Sequence, residues 1–355
     1  MQEFIPNKLP ITKDIETKEI LKKSILANSA LAKLNGVSKI IPNSNILINS
    51  LALQEAKDSS EIENIITTHD ELYKADLDIK NISHATKEVQ NYKNALLKGY
   101  HLVIDNKLLL KKYIVEIQKE LEQNDAGVRK QSGTNLANAK TGEVIFIPPQ
   151  KFADIEKLLV NLEQYINEEN DIDPLINMAI IHYQFETIHP FYDGNGRTGR
   201  IINILYLILN DLLDIPILYL SNYIIKNKSD YYRLLQEVRT KDNWEEWILY
   251  ILDGVEQTSL KTISLVNDIS TLMKKTKQDI KDKLPKIYSK DLIEILFHHP
   301  YTKIDFLVDG LGLTRQTASK YLKELELIGI LESIQIKNSK FYTNVELFAR
   351  LRKGI

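Results

Sequence analysis

Between positions 189 and 200 the chain collects a titratable base, a carboxylate, a glycine-amide-glycine turn and two arginines in one run, His189-Pro190-Phe191-Tyr192-Asp193-Gly194-Asn195-Gly196-Arg197-Thr198-Gly199-Arg200. A segment that only joins two core elements has no need of all of these. Pro190 disfavours helix at His189, so a helix through 176–188 is expected to end there and leave the imidazole at its mouth. Gly194-Asn195-Gly196 lets backbone N–H groups converge on an anion, and a helix rich in Ile and Leu is expected to begin near Arg197. Arg197 and Arg200 stand three apart and are expected on one face of its first turn. The geometry suits a polyphosphate beside a base that titrates near neutral pH.

Gly194, Gly196 and Gly199 also satisfy the dinucleotide fingerprint GxGxxG. That fingerprint needs a strand before it, a βαβ unit around it and an acidic residue about 20 positions on. Residues 178–186 instead show helical apolar spacing and carry His182, Gln184 and Glu186. The dinucleotide reading fails on context.

The elements that must position this run are mostly helical. The 355 residues are 43% hydrophobic, enough for a full core in two or three domains, and the low counts of glycine (13) and proline (10) favour helix. A net charge of −2 excludes a globally basic nucleic-acid binder. The lack of cysteine removes disulfides, thiolate nucleophiles and cysteine-bound zinc together. The N-terminal residues lack a secretory pattern, and the apolar stretch 201–220 is broken by Asn203, Asn210, Asp211, Asp214 and Pro216. No membrane contact and a cytoplasmic location are expected. Helices are expected over 16–35 and 47–73, and again around 229–235 and 244–247. Thr141-Gly142-Glu143 followed by Val144-Ile145-Phe146-Ile147 and a double proline reads as a β-hairpin within 127–149. His182 reads as a packing residue, and His69, His84, His101, His298 and His299 lack ligand spacing.

Position for position, the run at 189–200 is similar to the signature HPFxDGNGRxxR of the Fic family, whose members mostly transfer AMP from ATP to protein hydroxyls. Every fixed position is present. The resemblance implies a protein adenylyltransferase with a Fic-type helical core over 101–260, ATP as substrate, His189 as the base, and Asp193 as ligand of Mg²⁺ or Mn²⁺. It implies nucleotide contacts from Ser60, Gly194, Asn195, Gly196, Arg197, Thr198, Gly199 and Tyr232, with Arg200 left for the γ-phosphate. Ser59-Ser60-Glu61-Ile62-Glu63-Asn64 fits Ser/Thr-x-x-x-Glu-Gly/Asn, the family's inhibitory-helix motif. Its place ahead of the core marks class II members. A Glu63 carboxylate paired bidentately with Arg200 would take the place of the γ-phosphate. Ser59, one turn earlier, would fix the helix to the signature loop. The hairpin resembles the family's flap, whose edge, here Val144, Ile145 and Phe146, holds a target peptide; from the residues alone it serves as well as a cover for the core.

Residues 1–100 read as an N-terminal helical region, 261–285 as a helical linker and 286–355 as a separate unit. In the last, 304–309, the turn Gly310-Leu311-Gly312-Leu313 and 314–328 with Thr314 as N-cap read as helix-turn-helix. The stretch 330–336, the turn Lys337-Asn338-Ser339-Lys340 and 341–343 read as its wing. Eleven Lys/Arg against eight Asp/Glu in 286–355 is a small excess for a DNA binder. Arg315, Gln316, Ser319 and Lys320 are the groove-reading candidates. DNA contact, homodimerisation and target docking are the three roles open to this unit. The expected fold is mostly α, with a small hairpin flap and a winged helix-turn-helix. The expected activity is AMP transfer to a Tyr, Thr or Ser hydroxyl of a target protein, with self-modification. The alternatives are a Doc-type phosphotransferase, against which intact Asp193, Gly194 and Arg200 argue, and a nucleotide-sensing transcriptional regulator.

Overall fold

The structure is a computed structural model that describes residues 2–75, 82–137, 141–336 and 339–353. Helix α1 (Lys18–Ser38) begins where the Thr17 side chain accepts the Ile20 N–H. Helix α2 (Ser44–Ile62) begins in the same way at Asn43. The helical stretch expected over 47–73 is not continuous. It stops at Glu63, Asn64 turns into the left-handed region at φ 63°, and α3 (His69–Ala75) resumes beyond. Asparagine tolerates that conformation where most residues do not. The break leaves Glu63 at the free end of α2.

Helices α4 (His84–Asn106), α5 (Lys111–Glu122) and α6 (Phe152–Asn167) enclose a central pair, α7 (Pro174–Ile188) and α8 (Asn195–Leu209). Helix α7 starts with the Asp173 carboxylate accepting the Leu175 N–H at 2.8 Å and with proline in its first turn. It is buried over Leu175–Ile188, which explains why its apolar residues run all round rather than along one stripe. Between α5 and α6, strands β1 (Leu136–Ala137) and β2 (Val144–Phe146) pair antiparallel, with Leu136 opposite Phe146 and Ala137 opposite Val144. Residues 138–140 of the expected hairpin lie outside the described residues.

Helices α9 (Leu220–Lys226) and α10 (Lys228–Lys241) lead into α11 (Trp244–Lys283), 40 residues long, which packs along α1 and runs unbroken across position 260. Beyond it come α12 (Lys290–His298), β3 (Tyr301–Thr302), α13 (Ile304–Leu311), α14 (Arg315–Leu327), β4 (Leu331–Ile336), β5 (Ser339–Asn344) and α15 (Val345–Lys353). The three strands form an antiparallel sheet in the order β3-β5-β4. Thr314 caps α14 through the Thr317 N–H at 3.2 Å. Lys337 and Asn338 of the expected wing turn lie outside the described residues. This unit braces α2 and α3: Gln54 donates to the Leu351 carbonyl at 2.6 Å, and Tyr301 donates to Asp70 at 2.6 Å. Among the described residues no helix is long and apolar enough to cross a membrane.

Candidate active site

His189 closes α7 in the left-handed region, at φ 50°, with its N–H on the Phe185 carbonyl. Its side chain is half-buried. Burial, and then the charge of Arg129, lower its imidazole to about 4, so it is neutral near pH 7. The turn that follows is held from inside: Asn195 accepts the Phe191 N–H and donates to the Phe191 carbonyl, both at 2.8 Å. The side chain of Asn195, expected among the phosphate contacts, is thus spent on shaping the loop. Gly194 stands at φ 76°, a left-handed conformation that favours glycine, with the Glu122 carboxylate packed against it. Helix α8 begins at Asn195 with no side-chain cap. Its first-turn amides are therefore available to an anion. Helix α7, not a strand, leads into the three glycines, which disposes of the dinucleotide fingerprint structurally.

Arg200 is buried beneath this loop. Its Nε donates to Ser59 Oγ at 2.7 Å, and one terminal nitrogen donates to the Ser59 carbonyl and to Glu63 Oε1, both at 2.9 Å. Burial opposes its charge, but Glu63 together with Tyr231, Glu186 and Tyr92 outweighs that and holds the guanidinium above its ordinary range. Glu63 therefore pairs with Arg200, yet not bidentately: the fork is shared between one carboxylate oxygen and Ser59. The same oxygen lies 2.5 Å from where a Cβ on Gly196 would stand, so the carboxylate rests on the signature loop itself. Tyr232 is exposed at 44%, and its hydroxyl feels Glu63 and Arg200, whereas Tyr231 is buried with its hydroxyl 2.9 Å from His182 Nε2. His182 stacks on Trp247 and is a packing residue.

Arg197 departs from expectation. Its terminal nitrogens bind Glu88 at 3.0 Å and Glu122 at 2.8 Å, with the group 4% exposed. Residues three apart diverge by about 60° around a helix, enough for two long side chains to reach different walls. Ser60 and Thr198 are fully buried, with hydroxyls that have no hydrogen-bond partner among the described residues. Asp193 is exposed, and its Oδ1 accepts the Gly194 N–H at 2.7 Å. The described residues contain no cluster of three or more His, Asp or Glu fit to hold a metal. A lone exposed carboxylate fits Mg²⁺, which keeps most of its waters and takes further oxygens from substrate phosphates. At the flap, Ile145 points outward at 41% exposure and Phe146 packs inward, with the Arg239 guanidinium 3.9 Å from its ring centre.

Sequence reasoning missed three buried groups. Arg129, fully buried, donates through Nε to the His189 carbonyl at 2.8 Å. Glu186 carries a carboxyl raised to about 7 by burial, with Oε1 lacking a partner. Glu55 on α2, also raised to about 7 by burial, accepts from Ser221 and from Tyr92. The only sequence signal for any of them was a charged residue inside an otherwise apolar helical period, as at Glu186. In the C-terminal unit, Arg315 pairs with Asp305 and Lys320 with Glu324, so two groove-reading candidates already have acidic partners.

Fold and site together define a mostly helical protein with an imidazole at the end of one central helix and an N-terminus free of a side-chain cap on the next. The Fic/DOC family N-terminal model matches residues 21–101, and the Fic/DOC family model matches 108–207. The C-terminal domain of protein adenylyltransferase SoFic-like matches 272–347. The chain belongs to the Fic/DOC family. It is 29% identical over 195 residues to a probable protein adenylyltransferase of Aquifex aeolicus, covering 54% of this chain and 57% of that one. It is 31% identical over 117 residues to the protein adenylyltransferase Fic of Drosophila grimshawi, covering 32% of this chain and 22% of that one. The chain thus spans about half or less of the length of these curated relatives. In fold it is similar to a Fic family protein of Desulfovibrio desulfuricans, with a TM-score of 0.61, 19% identity and 95% and 98% of the two chains covered. Fic-1 of C. elegans follows at TM-score 0.53, with 18% identity and 70% and 73% covered.

Proposed function

We propose that this chain is a protein adenylyltransferase that moves AMP from ATP onto a hydroxyl of a target protein, and that Glu63 holds it inactive. The observation that carries the reading is Arg200: a buried guanidinium in the second turn of α8, shared between Ser59 and Glu63, on a helix whose N-terminus carries no side-chain cap and which follows the neutral imidazole of His189 by one short loop. In the reaction the hydroxyl oxygen of the target bonds to the α-phosphorus, the bond to pyrophosphate breaks, and His189 takes the hydroxyl proton. The first-turn amides and Arg200 neutralise the polyphosphate, and Tyr232 flanks the nucleotide. Bound Mg²⁺, which Asp193 would hold, supplies charge neutralisation between phosphate oxygens.

With Glu63 on Arg200, the place of the γ-phosphate is taken and ATP binds out of line. Val144 and Ile145 on the flap offer an extended edge to the target, which fits a β-strand mode of peptide capture. By this reading 1–100 is the inhibitory region, 101–260 the catalytic core and 286–355 a docking unit. The test is to incubate the purified protein with α-labelled ATP, Mg²⁺ and a cell lysate. Labelled protein bands, and none from γ-labelled ATP, support AMP transfer; label from the γ-phosphate alone would establish phosphotransfer instead.

A further inference from the structure

The flap and the catalytic loop are joined by an arginine that neither the signature nor the charge pattern marks. Val128 forms an isolated antiparallel bridge with Phe191, and the Arg129 N–H donates to the Pro190 carbonyl at 2.9 Å. The Tyr192 hydroxyl accepts the Lys130 N–H at 3.0 Å. The entry leg of the flap is thus zipped to 190–192 by two main-chain contacts and the Tyr192 hydroxyl. The Arg129 side chain then crosses to the other leg: Nε reaches the His189 carbonyl at 2.8 Å, and one terminal nitrogen reaches the Ile188 carbonyl at 3.4 Å and the Pro149 carbonyl. The described contacts pair it with no carboxylate, although it is fully buried, and burial lowers it below its ordinary range. Burying a cation against carbonyl dipoles alone is costly, and a planar fork is the one side chain that spans three of them.

We propose that Arg129 is a positioning residue for the transfer reaction: it ties the backbone of the base to both legs of the flap, so that a target held on the flap and the imidazole that deprotonates it keep one fixed separation. The proposal rests on adenylyl transfer as the activity. Near-attack geometry tolerates little slack, since a displacement of about 1 Å can cost on the order of 100-fold in rate. A flap hinged freely on its stem would not hold it. The same cation stands beside the imidazole. The other charged groups that face His189 are Glu63 at the end of α2 and Arg239 on α10.

The experiment uses the full chain carrying Glu63→Gly, with Arg129→Met and Arg129→Lys added singly. Both variants are expected to lose about 10- to 100-fold in kcat for target labelling while KM for ATP stays within about twofold, because the phosphate contacts lie on α8. The titration of His189, followed by NMR and assigned with His189→Gln, separates charge from fork. It stays near about 4 in Arg129→Lys and moves up toward the ordinary histidine value in Arg129→Met. Wild-type kcat in both variants would overturn the proposal. So would kcat and ATP binding falling together in step with a lowered melting temperature, which marks a structural role only. Where Arg129→Met does not fold, Arg129→Lys carries the rate test alone. If neither the parent nor the variants transfer AMP, the assigned activity fails. The NMR titration still reads the contact, and an unshifted His189 in Arg129→Met sinks it.

Discussion

Replacing Glu63 by glycine is the most direct perturbation of this site. Three hydrogen bonds fix the Arg200 guanidinium, two to Ser59 and one to Glu63, so removing the carboxylate leaves the arginine in place while freeing one edge of it. A hydrogen bond to a charged group is worth roughly 1.5–3 kcal/mol. The Glu63 side chain is 35% exposed, so solvent screening puts the pair at or below the lower end, about 1–2 kcal/mol. Expressed wholly in the productive ATP pose, that is about 5- to 30-fold in transfer rate. The assay is incorporation of α-labelled AMP into the protein itself and into lysate targets at saturating ATP, compared with wild type. Arg200→Ala in the same background is expected to abolish the gain. Ser59→Ala is expected to give a smaller gain than Glu63→Gly, because the Ser59 carbonyl still holds the arginine. A Glu63→Gly protein that labels no faster than wild type would refute the reasoning: the carboxylate would then be a helix-end contact with no bearing on how ATP lies.

His189→Ala is expected to abolish transfer while ATP binding by calorimetry persists, since the phosphate contacts lie on α8. With the imidazole lowered to about 4, the wild-type rate is expected to hold from pH 8 down to 6 and to fall only as pH approaches that value, which a pH–rate profile reads. Excess chelator, or Asp193→Ala, is expected to stop labelling without changing the melting temperature, because Asp193 is exposed. Glu55 is raised to about 7 by burial, so its contribution to stability is present below the unfolded carboxylate value and lost as pH rises through about 7. Melting temperatures of Glu55→Gln and wild type should therefore diverge in favour of the variant between pH 5 and 8; parallel curves would count against a neutral buried Glu55.

The sequence by itself determined the helical class, the end of α7 at His189, the glycine turn, the helix after it and the Thr314 cap of α14, because these are local. Proline restriction, glycine freedom, capping threonine and apolar period each act within a few residues. It also determined that Glu63 and Arg200 belong together, since the spacing of both motifs could be matched to a family. What it could not determine was where long side chains end. Arg197 turned to Glu88 and Glu122 rather than beside Arg200, and Asn195 was spent on the Phe191 backbone. Arg129 ends on the His189 carbonyl, 60 residues away in sequence. Each of these is fixed by a partner distant in the chain, chosen by which buried acceptor or carboxylate the fold brings within reach. Only the tertiary structure sets that choice, because a flexible charged side chain has no preferred neighbour until burial removes water as the alternative.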